Sequence, residues 1–264
     1  MSVQPTAVST PTIGRDHVSL AQAHSQRVHD QFVELHEIFD RSPPSAPFRR
    51  FFDETIGREI AQRLASGSGP VRILEVGCGV GNWAEEIHAR FASDAGRIEY
   101  LGIDFAEPCV ASCNQRLANH PKSRAIAADF ESLPPDGGYD LVLFIEVFCH
   151  LRAGQDDAWV TRAKHWLAQG GVIGIIDKER YSKHGWRVRW DLFKRAVLPA
   201  TLRGRPYYFP ENYNTLLTTL RYPSFSHLAR VARRIGLSPR SIAKHGLFTA
   251  LLVDQCSVAL TRRD

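Results

Sequence analysis

Apolar residues along this chain follow two spacings, and the alternation between them predicts its elements. Helical spacing predicts helices at about 17–39 and 46–65, ahead of any strand. From residue 73 onward, short apolar runs predict strands, and helical spacing returns between them. The predicted series then runs helix 82–92, strand 98–103, helix 107–118, strand 124–128, strand 139–145, helix 155–168 and strand 171–177. This alternation is typical of an α/β protein whose parallel sheet carries helices on both faces.

The last part of the chain departs from that alternation. A helix is predicted at about 225–235, with Gly236 at its end, and two strands follow at about 239–243 and 247–254. We predict a mobile segment at 1–15, an N-terminal helical cap at 16–69 and a lid insertion at 178–224. The chain has 264 residues, 44% of them apolar, so residues 16–264 fit one large domain.

Composition excludes several classes of protein. The chain has no run of about 18 apolar residues, and its N-terminus lacks the basic and apolar regions of a signal peptide. We therefore expect a cytoplasmic protein without a membrane span. The five cysteines form no C-x-x-C pair and have no histidines at metal-ligand spacing. Reduced thiols and no bound metal are the expectation.

The most specific motif lies where the first strand meets its helix. Glu75 precedes three glycines at alternate positions, Gly77, Gly79 and Gly81. Glycines permit the sharp turn and let a ligand lie against the backbone, and the helix that follows offers unpaired N–H groups to an anion. The dinucleotide fingerprint requires a glycine one position later, where this chain has Asn82.

Three further segments follow this motif, at 100–104, 125–130 and 139–151. Together they resemble the class I (Rossmann-like) S-adenosylmethionine-dependent methyltransferases, in particular small-molecule enzymes related to those of quinone biosynthesis. The resemblance implies S-adenosylmethionine as cofactor. It also implies a doubly wound, mostly parallel seven-stranded sheet that ends in an antiparallel C-terminal hairpin, with N-terminal helices folding over the cofactor.

The resemblance also assigns residues to the cofactor. Asp104 would bind the two ribose hydroxyls, and Asp129 would accept a hydrogen bond from the adenine amino group while the backbone N–H of Phe130 meets the ring. The full cofactor-binding set is Glu75, Gly77, Cys78, Gly79, Gly81, Asn82, Asp104, Phe105, Asp129, Phe130 and Ile145. Cys78 is expected to act as a small filler. Taken singly, Asp104 and Asp129 could instead cap the helices that follow them.

Two side chains after the fourth strand are the candidates for catalysis. His150 is the preferred general base if the acceptor is a hydroxyl, because the reference pKa of histidine lies near working pH. The alternative is that His150 only braces its loop. Glu146 is the second candidate, as a residue that orients the histidine or lines the pocket.

The predicted lid carries the positive charge of the chain. Residues 178–205 hold nine basic residues against two acidic ones, whereas the whole chain has a net charge of +5. Aromatic residues alternate with these cations, and Trp186, Arg187, Arg189 and Trp190 are the predicted acceptor-binding residues. The alternative is an amphipathic helix whose aromatic residues pack inward and whose arginines are solvated.

These observations favour methyl transfer to a small molecule, with O-methylation preferred and an acceptor that is anionic or a sugar. An RNA or protein acceptor bound by the basic lid is the main alternative, and a non-catalytic cofactor-binding module is another. DNA is not expected, because the fourth strand is not followed by an acidic or amide residue, two prolines and an aromatic residue. The acceptor and the oligomeric state remain open.

Overall fold

The computed structural model of the protein describes residues 33, 40, 43–151, 154–178, 223–245 and 248–255. The predicted segment 1–15, most of the predicted helix 17–39 and nearly all of the predicted lid lie outside these ranges. Trp186, Arg187, Arg189 and Trp190 are among the residues outside them.

A seven-stranded sheet forms the centre of the fold, in the order β3-β2-β1-β4-β5-β7-β6. The strands are β1 (Val71–Val76), β2 (Ile98–Asp104), β3 (Ser123–Ala127), β4 (Tyr139–Ile145), β5 (Leu167–Lys178), β6 (Ser238–His245) and β7 (Phe248–Asp254). The first five strands pair in parallel, and β7 pairs antiparallel with both β5 and β6. This confirms the predicted doubly wound sheet with its antiparallel C-terminal hairpin.

Helices cover both faces of the sheet. They are α1 (Ala46–Phe52), α2 (Arg58–Ser66), α3 (Asn82–Arg90), α4 (Glu107–Arg116), α5 (Gln155–Lys164) and α6 (Phe225–Arg234). A π-helical turn at Asp53–Gly57 joins α1 to α2, so the predicted helix 46–65 is nearly continuous. Short 3-10 turns lie at Ala92–Arg97 and Phe148–His150.

The core has two layers because the strands are buried on both faces. In β4, Leu141 and Leu143 belong to one apolar cluster, with α1, α2, α3 and α4, whereas Val142 and Phe144 belong to the other, with α5 and α6. A strand buried on both faces reads as a continuous apolar run. That is why the sequence predicted β4 without alternation.

One boundary was predicted wrongly. Helix α5 ends at Lys164, short of the predicted 168, and β5 already begins at Leu167. The glycines at 170 and 171 therefore lie inside β5, not in the turn between the helix and the strand. A Cβ atom at Gly171 would lie 2.8 Å from the Tyr139 carbonyl oxygen, so this close approach of two strands accounts for the glycine there.

The strand order reverses direction between β1 and β4, which are neighbours in the sheet. In open α/β sheets the crevice at this switch point, beyond the carboxyl ends of the strands, is where ligands bind. The glycine loop after β1, Asp104 at the end of β2, and the loop after β4 all lie at that edge.

Candidate active site

The glycine loop makes the sharp turn from β1 into α3. Gly77, Gly79 and Gly81 all have positive φ, at 74°, 51° and 84°. The backbone N–H groups of Gly77 and Cys78 both donate to the carbonyl oxygen of Ile103, at 2.7 and 3.1 Å, so the end of β2 supports the loop. A Cβ atom at Gly81 would lie 2.7 Å from Cys113 Sγ on α4, whereas one at Gly79 would meet no atom within 4 Å. Gly79 therefore faces open space, and Gly81 faces protein.

Asp104 connects this loop to the next helix. Its Oδ2 accepts a hydrogen bond from the Gly79 N–H, and its Oδ1 accepts one from the Ala106 N–H, both at 2.9 Å. The residue is buried, with 7% of its surface exposed. Asp104 thus holds the glycine loop and the start of α4 in fixed relation, in addition to any role toward a ligand.

The Glu75 side chain is held in the interior of the protein. Its side chain is buried, and the Tyr100 hydroxyl on β2 donates to its Oε2 at 2.6 Å. Burial raises the pKa of Glu75 to about 8, while the Tyr100 hydrogen bond acts in the opposite direction. A Cβ atom at Gly102 would lie 2.7 Å from Cys78 Sγ and 3.2 Å from Tyr100 Cε1, so that glycine makes room for both side chains.

Cys78 occupies the interior side of the glycine loop. Its thiol is buried, and the neighbouring Cys113 thiol, together with burial, raises its pKa well above the usual value. A thiol in that state is neutral and a poor nucleophile. The geometry agrees with a filler role for this side chain.

The other predicted cofactor residues lie around the same edge. Asp129 is exposed, and its Oδ1 accepts from the Glu131 N–H at 3.0 Å in the turn after β3. The Phe130 ring is buried against Phe144 and Trp159, so its side chain packs in the core. The remaining three residues differ in exposure: Phe105 is exposed, Asn82 is half-buried at the start of α3, and Ile145 is buried at the end of β4.

The loop after β4 holds both predicted catalytic residues. Glu146 has φ +58°, and its N–H donates to the Ile176 carbonyl oxygen at 2.7 Å. His150, half-buried, ends the 3-10 turn that follows, and its N–H donates to the Val147 carbonyl oxygen at 3.0 Å. Val147 also touches the glycine loop, since a Cβ atom at Gly77 would lie 2.6 Å from Val147 Cγ2. The two loops are therefore packed against each other.

Two residues at the end of β5 complete this region, and the sequence reasoning did not assign either to the site. Asp177 is fully buried, and its Oδ2 accepts from the Cys149 N–H at 2.9 Å. Burial raises the pKa of Asp177 to about 7, with the nearby Glu146 charge adding to the rise. Lys178 Nζ donates to Glu146 Oε1 at 2.7 Å. Burial alone would lower the pKa of Lys178, but the Glu146 carboxylate raises it above its usual value.

Aromatic rings connect the end of β5 to the start of α3. Lys178 Nζ lies 5.5 Å from the centroid of the Phe248 ring. That ring stacks on Phe48 of α1 at 3.9 Å, and Phe48 meets Trp83 of α3 edge-on at 4.9 Å. The row runs from the end of β5 to the first turn after the glycine loop. It was not predicted as a unit, because its members come from distant parts of the sequence.

The residues at this edge fit a nucleoside with an attached amino acid. Gly79 leaves space that a side chain would fill, the first turn of α3 presents N–H groups, and Asp104 is a carboxylate at the end of the adjacent strand. These are the features that the chain itself offers to S-adenosylmethionine.

Comparison with known proteins agrees with this geometry. Residues 73–171 match the family described as "Methyltransferase domain". The demethylmenaquinone methyltransferase of Listeria welshimeri is 23% identical over 231 residues, which cover 83% of this chain and 91% of the relative. Residues 73–171 form a methyltransferase domain, and the methyl donor is S-adenosylmethionine.

Two solved structures share the fold of this methyltransferase. Magnesium protoporphyrin IX methyltransferase from Synechocystis PCC 6803 with bound S-adenosylhomocysteine has a TM-score of 0.60 and 13% identity, over 88% of this chain and 100% of the other. An O-methyltransferase from neocarzinostatin biosynthesis, bound to S-adenosylmethionine and 2-hydroxy-5-methyl naphthoic acid, has a TM-score of 0.50 and 13% identity, over 78% and 56%. At these identities the likeness concerns the fold.

The described residues include neither a membrane span nor a cluster of metal ligands. None of their helices has the length and apolar content that a membrane span requires. Among the same residues, no group of three or more His, Cys, Asp or Glu side chains is arranged to hold a metal ion.

Proposed function

We propose that this methyltransferase transfers a methyl group to a hydroxyl oxygen of a small aromatic acceptor that also carries an anionic group. The observation that carries the proposal is the ion pair of Lys178 with Glu146, in which the ammonium lies over the Phe248 ring and the carboxylate belongs to the loop that also carries His150. A cation, a carboxylate and an aromatic face at the carboxyl ends of adjacent strands suit a ring with polar substituents.

The cofactor side of the reaction is assigned to the glycine loop and the acids that follow β2 and β3. We infer that Asp104 binds the ribose hydroxyls, that Asp129 and the Phe130 backbone bind the adenine, and that the backbone at 77–82 supports the methionine part. S-adenosylmethionine, when bound, supplies a methyl group on a sulfonium and leaves as the neutral thioether once a lone pair of the acceptor has taken that methyl. The chain's main contribution is to hold the acceptor oxygen in line with this methyl.

The acceptor side requires that a proton leave the hydroxyl as the new carbon–oxygen bond forms. We assign that proton to the His150 ring, which is suited to accept it near neutral pH. Glu146 lies four residues earlier on the same loop and would line the pocket. In the predicted lid, Arg187 and Arg189 would hold the anionic group bidentately, while Trp186 and Trp190 would cover the ring.

The names of similar proteins support the choice of a ring acceptor. The O-methyltransferase described above is bound to a hydroxynaphthoic acid, and the Listeria relative is named for demethylmenaquinone. The basic segment 178–205 supports an anionic acceptor, and it also supports the second candidate, a macromolecular acceptor such as RNA.

Mass spectrometry can test the proposal. We expect the protein and S-adenosylmethionine to add one methyl to the hydroxyl of 2-hydroxy-5-methyl naphthoic acid and to leave 5-methylnaphthoic acid, which lacks the hydroxyl, unchanged. Methylation of both acids would place the methyl on the carboxylate and contradict O-methylation at a hydroxyl. Transfer to neither acid, together with methylation of RNA that weakens steeply with salt, would replace this proposal by the second candidate.

A further inference from the structure

The Lys178–Glu146 pair is not explained by its contribution to stability. Its two side chains are 29% and 37% exposed. Ion pairs exposed to this degree stabilise a fold little, because water screens the attraction and two long side chains lose freedom. A different reason for this contact is therefore needed.

The backbone that carries Glu146 is strained and strongly fixed. Among the described residues, Glu146 alone has a positive φ without being glycine. Such a conformation persists only where the surroundings impose it, and it occurs preferentially at functional sites. Here the Glu146 N–H donates to the carbonyl oxygen of Ile176 in β5, and the Cys149 N–H donates to the Asp177 carboxylate. The loop after β4 is thus tied to the end of β5 at two points.

Within the part of the chain that the structure describes, the Lys178 ammonium keeps donors for a further oxygen. An ammonium has three N–H donors, and Glu146 Oε1 accepts one of them at 2.7 Å. The Glu146 carboxylate also favours the charged form of the lysine and thereby raises its pKa. A protonated lysine is a hydrogen-bond donor, whereas a neutral amine beside a methyl donor would itself be a nucleophile. The pair therefore provides a fixed cation.

The surroundings of Lys178 favour an aromatic ligand. Phe248 lies opposite Lys178 in the β5–β7 register, and its ring is half-buried, 5.5 Å from Lys178 Nζ. Phe48 stacks on that ring, with the two ring centroids 3.9 Å apart. A ring lying against this surface would have its polar substituents within the range of the ammonium.

We propose that Lys178 is an acceptor-specificity residue, which donates a hydrogen bond to an anionic oxygen of the aromatic acceptor while Glu146 holds the ammonium in place. This inference rests on the proposed function for the existence of such an acceptor. The oxygen is either the carboxylate of the acceptor or the hydroxyl oxygen that loses its proton during transfer.

The experiment compares two probes and three variants. The probes are 2-hydroxy-5-methyl naphthoic acid and 5-methyl-2-naphthol, which lacks the carboxylate. Lys178→Met removes the charge, Lys178→Arg retains it, and Lys122→Met removes a lysine at the opposite edge of the sheet, where Lys122 Nζ contacts Gly96. KM and kcat are measured for each probe, along with probe binding in the presence of S-adenosylhomocysteine by calorimetry.

If Lys178 binds the carboxylate, we expect Lys178→Met to raise KM for the acid by about tenfold or more and to leave KM for the naphthol unchanged. If Lys178 binds the hydroxyl oxygen, kcat should fall by a similar factor with both probes. In either case Lys178→Arg should recover most of the loss, and Lys122→Met should behave as wild type.

Wild-type KM, kcat and probe affinity in Lys178→Met would overturn the inference and leave the proposed function standing. An equal loss for both Lys178→Met and Lys178→Arg, with weakened binding of S-adenosylhomocysteine, would also overturn it, since that pattern indicates damage to the fold. If the wild-type protein neither bound nor methylated either probe, the proposed function itself would fail.

Discussion

The two halves of the site are built by different means. At the ends of β1 and β2 the groups held in place are backbone N–H groups: the Ile103 carbonyl oxygen accepts from two in the glycine loop, and the Asp104 carboxylate accepts from Gly79 and Ala106. At the ends of β4 and β5 the Glu146 and Cys149 N–H groups are held in a similar way, and the half-exposed Lys178–Glu146 pair adds a contact between two side chains. The cofactor half should therefore tolerate little change, whereas the acceptor half can vary its side chains on a constant backbone. This difference suits a shared cofactor and differing acceptors.

Gly81→Ala should have the largest effect, because it tests the backbone-built half. Its methyl would lie 2.7 Å from Cys113 Sγ and 3.0 Å from Cys113 Cα, at a φ of +84°. We expect a loss of about 2–4 kcal/mol in unfolding free energy, with cofactor binding abolished. Chemical denaturation and calorimetry measure the two effects.

The matched control is Gly79→Ala, where the added methyl meets no atom within 4 Å. This variant should lose only the left-handed backbone cost of about 1 kcal/mol but should still bind S-adenosylmethionine weakly, because the methyl would fill the space offered to the ligand. If Gly79→Ala bound the cofactor as wild type does, the ligand would not lie against this loop.

His150→Ala tests the side-chain half. If His150 takes the acceptor proton, kcat should fall by roughly a hundredfold, while the affinity for S-adenosylmethionine stays the same. Steady-state kinetics and calorimetry on the same preparation separate the two quantities. Weakened cofactor binding in this variant would contradict the division into two halves, because the acceptor half would then also support the cofactor.

Asp104→Ala should weaken cofactor binding by about 1.5–3 kcal/mol, since it removes a charged hydrogen-bond partner. Asp104→Asn, which keeps one acceptor oxygen for the Gly79 or Ala106 N–H, should lose less. Calorimetric titration with S-adenosylhomocysteine ranks the three proteins. Equal affinities would remove Asp104 from the binding site and leave it a structural brace.

Replacing Glu75 should have the smallest effect on activity but a clear effect on how the unfolding free energy depends on pH. Its pKa rises from 4.5 to about 8 on folding, so the folded state binds the extra proton between these values and unfolding free energy falls as pH rises through that window. Glu75→Gln, which keeps an acceptor for the Tyr100 hydroxyl, should flatten this fall by up to about 4 kcal/mol. Urea unfolding at about pH 5, 6.5 and 8 measures how the unfolding free energy changes across this window.

Tyr100→Phe is the opposite variant. The Tyr100 hydrogen bond lowers the pKa of Glu75, so removing the hydroxyl should raise that pKa further and extend the loss of stability to higher pH. An unchanged curve in both variants would show that the Glu75 carboxyl reaches solvent in the folded protein.

The sequence by itself determined the elements whose physical signal is local. Apolar runs specified β1, β2 and β4, helical spacing specified α6, and the glycines at 77, 79 and 81 specified the turn that requires positive φ. The boundary between α5 and β5 could not be read, because Leu167 pairs with Tyr139 only once β4 is in place. A short apolar run is compatible with either structure until its partner is known.

Only the tertiary structure decided what lies around each site residue. The Glu146–Lys178 contact joins positions 32 apart in sequence, and the stacked pair of Phe48 and Phe248 joins positions from opposite ends of the domain. The burial that raises the pKa of Glu75 and Asp177 likewise depends on neighbouring strands. Sequence spacing reports contacts within a strand or helix turn, whereas pairing of parallel strands brings together residues with no fixed spacing. The glycine loop could therefore be predicted from the sequence, whereas the acceptor half could be described only from the fold.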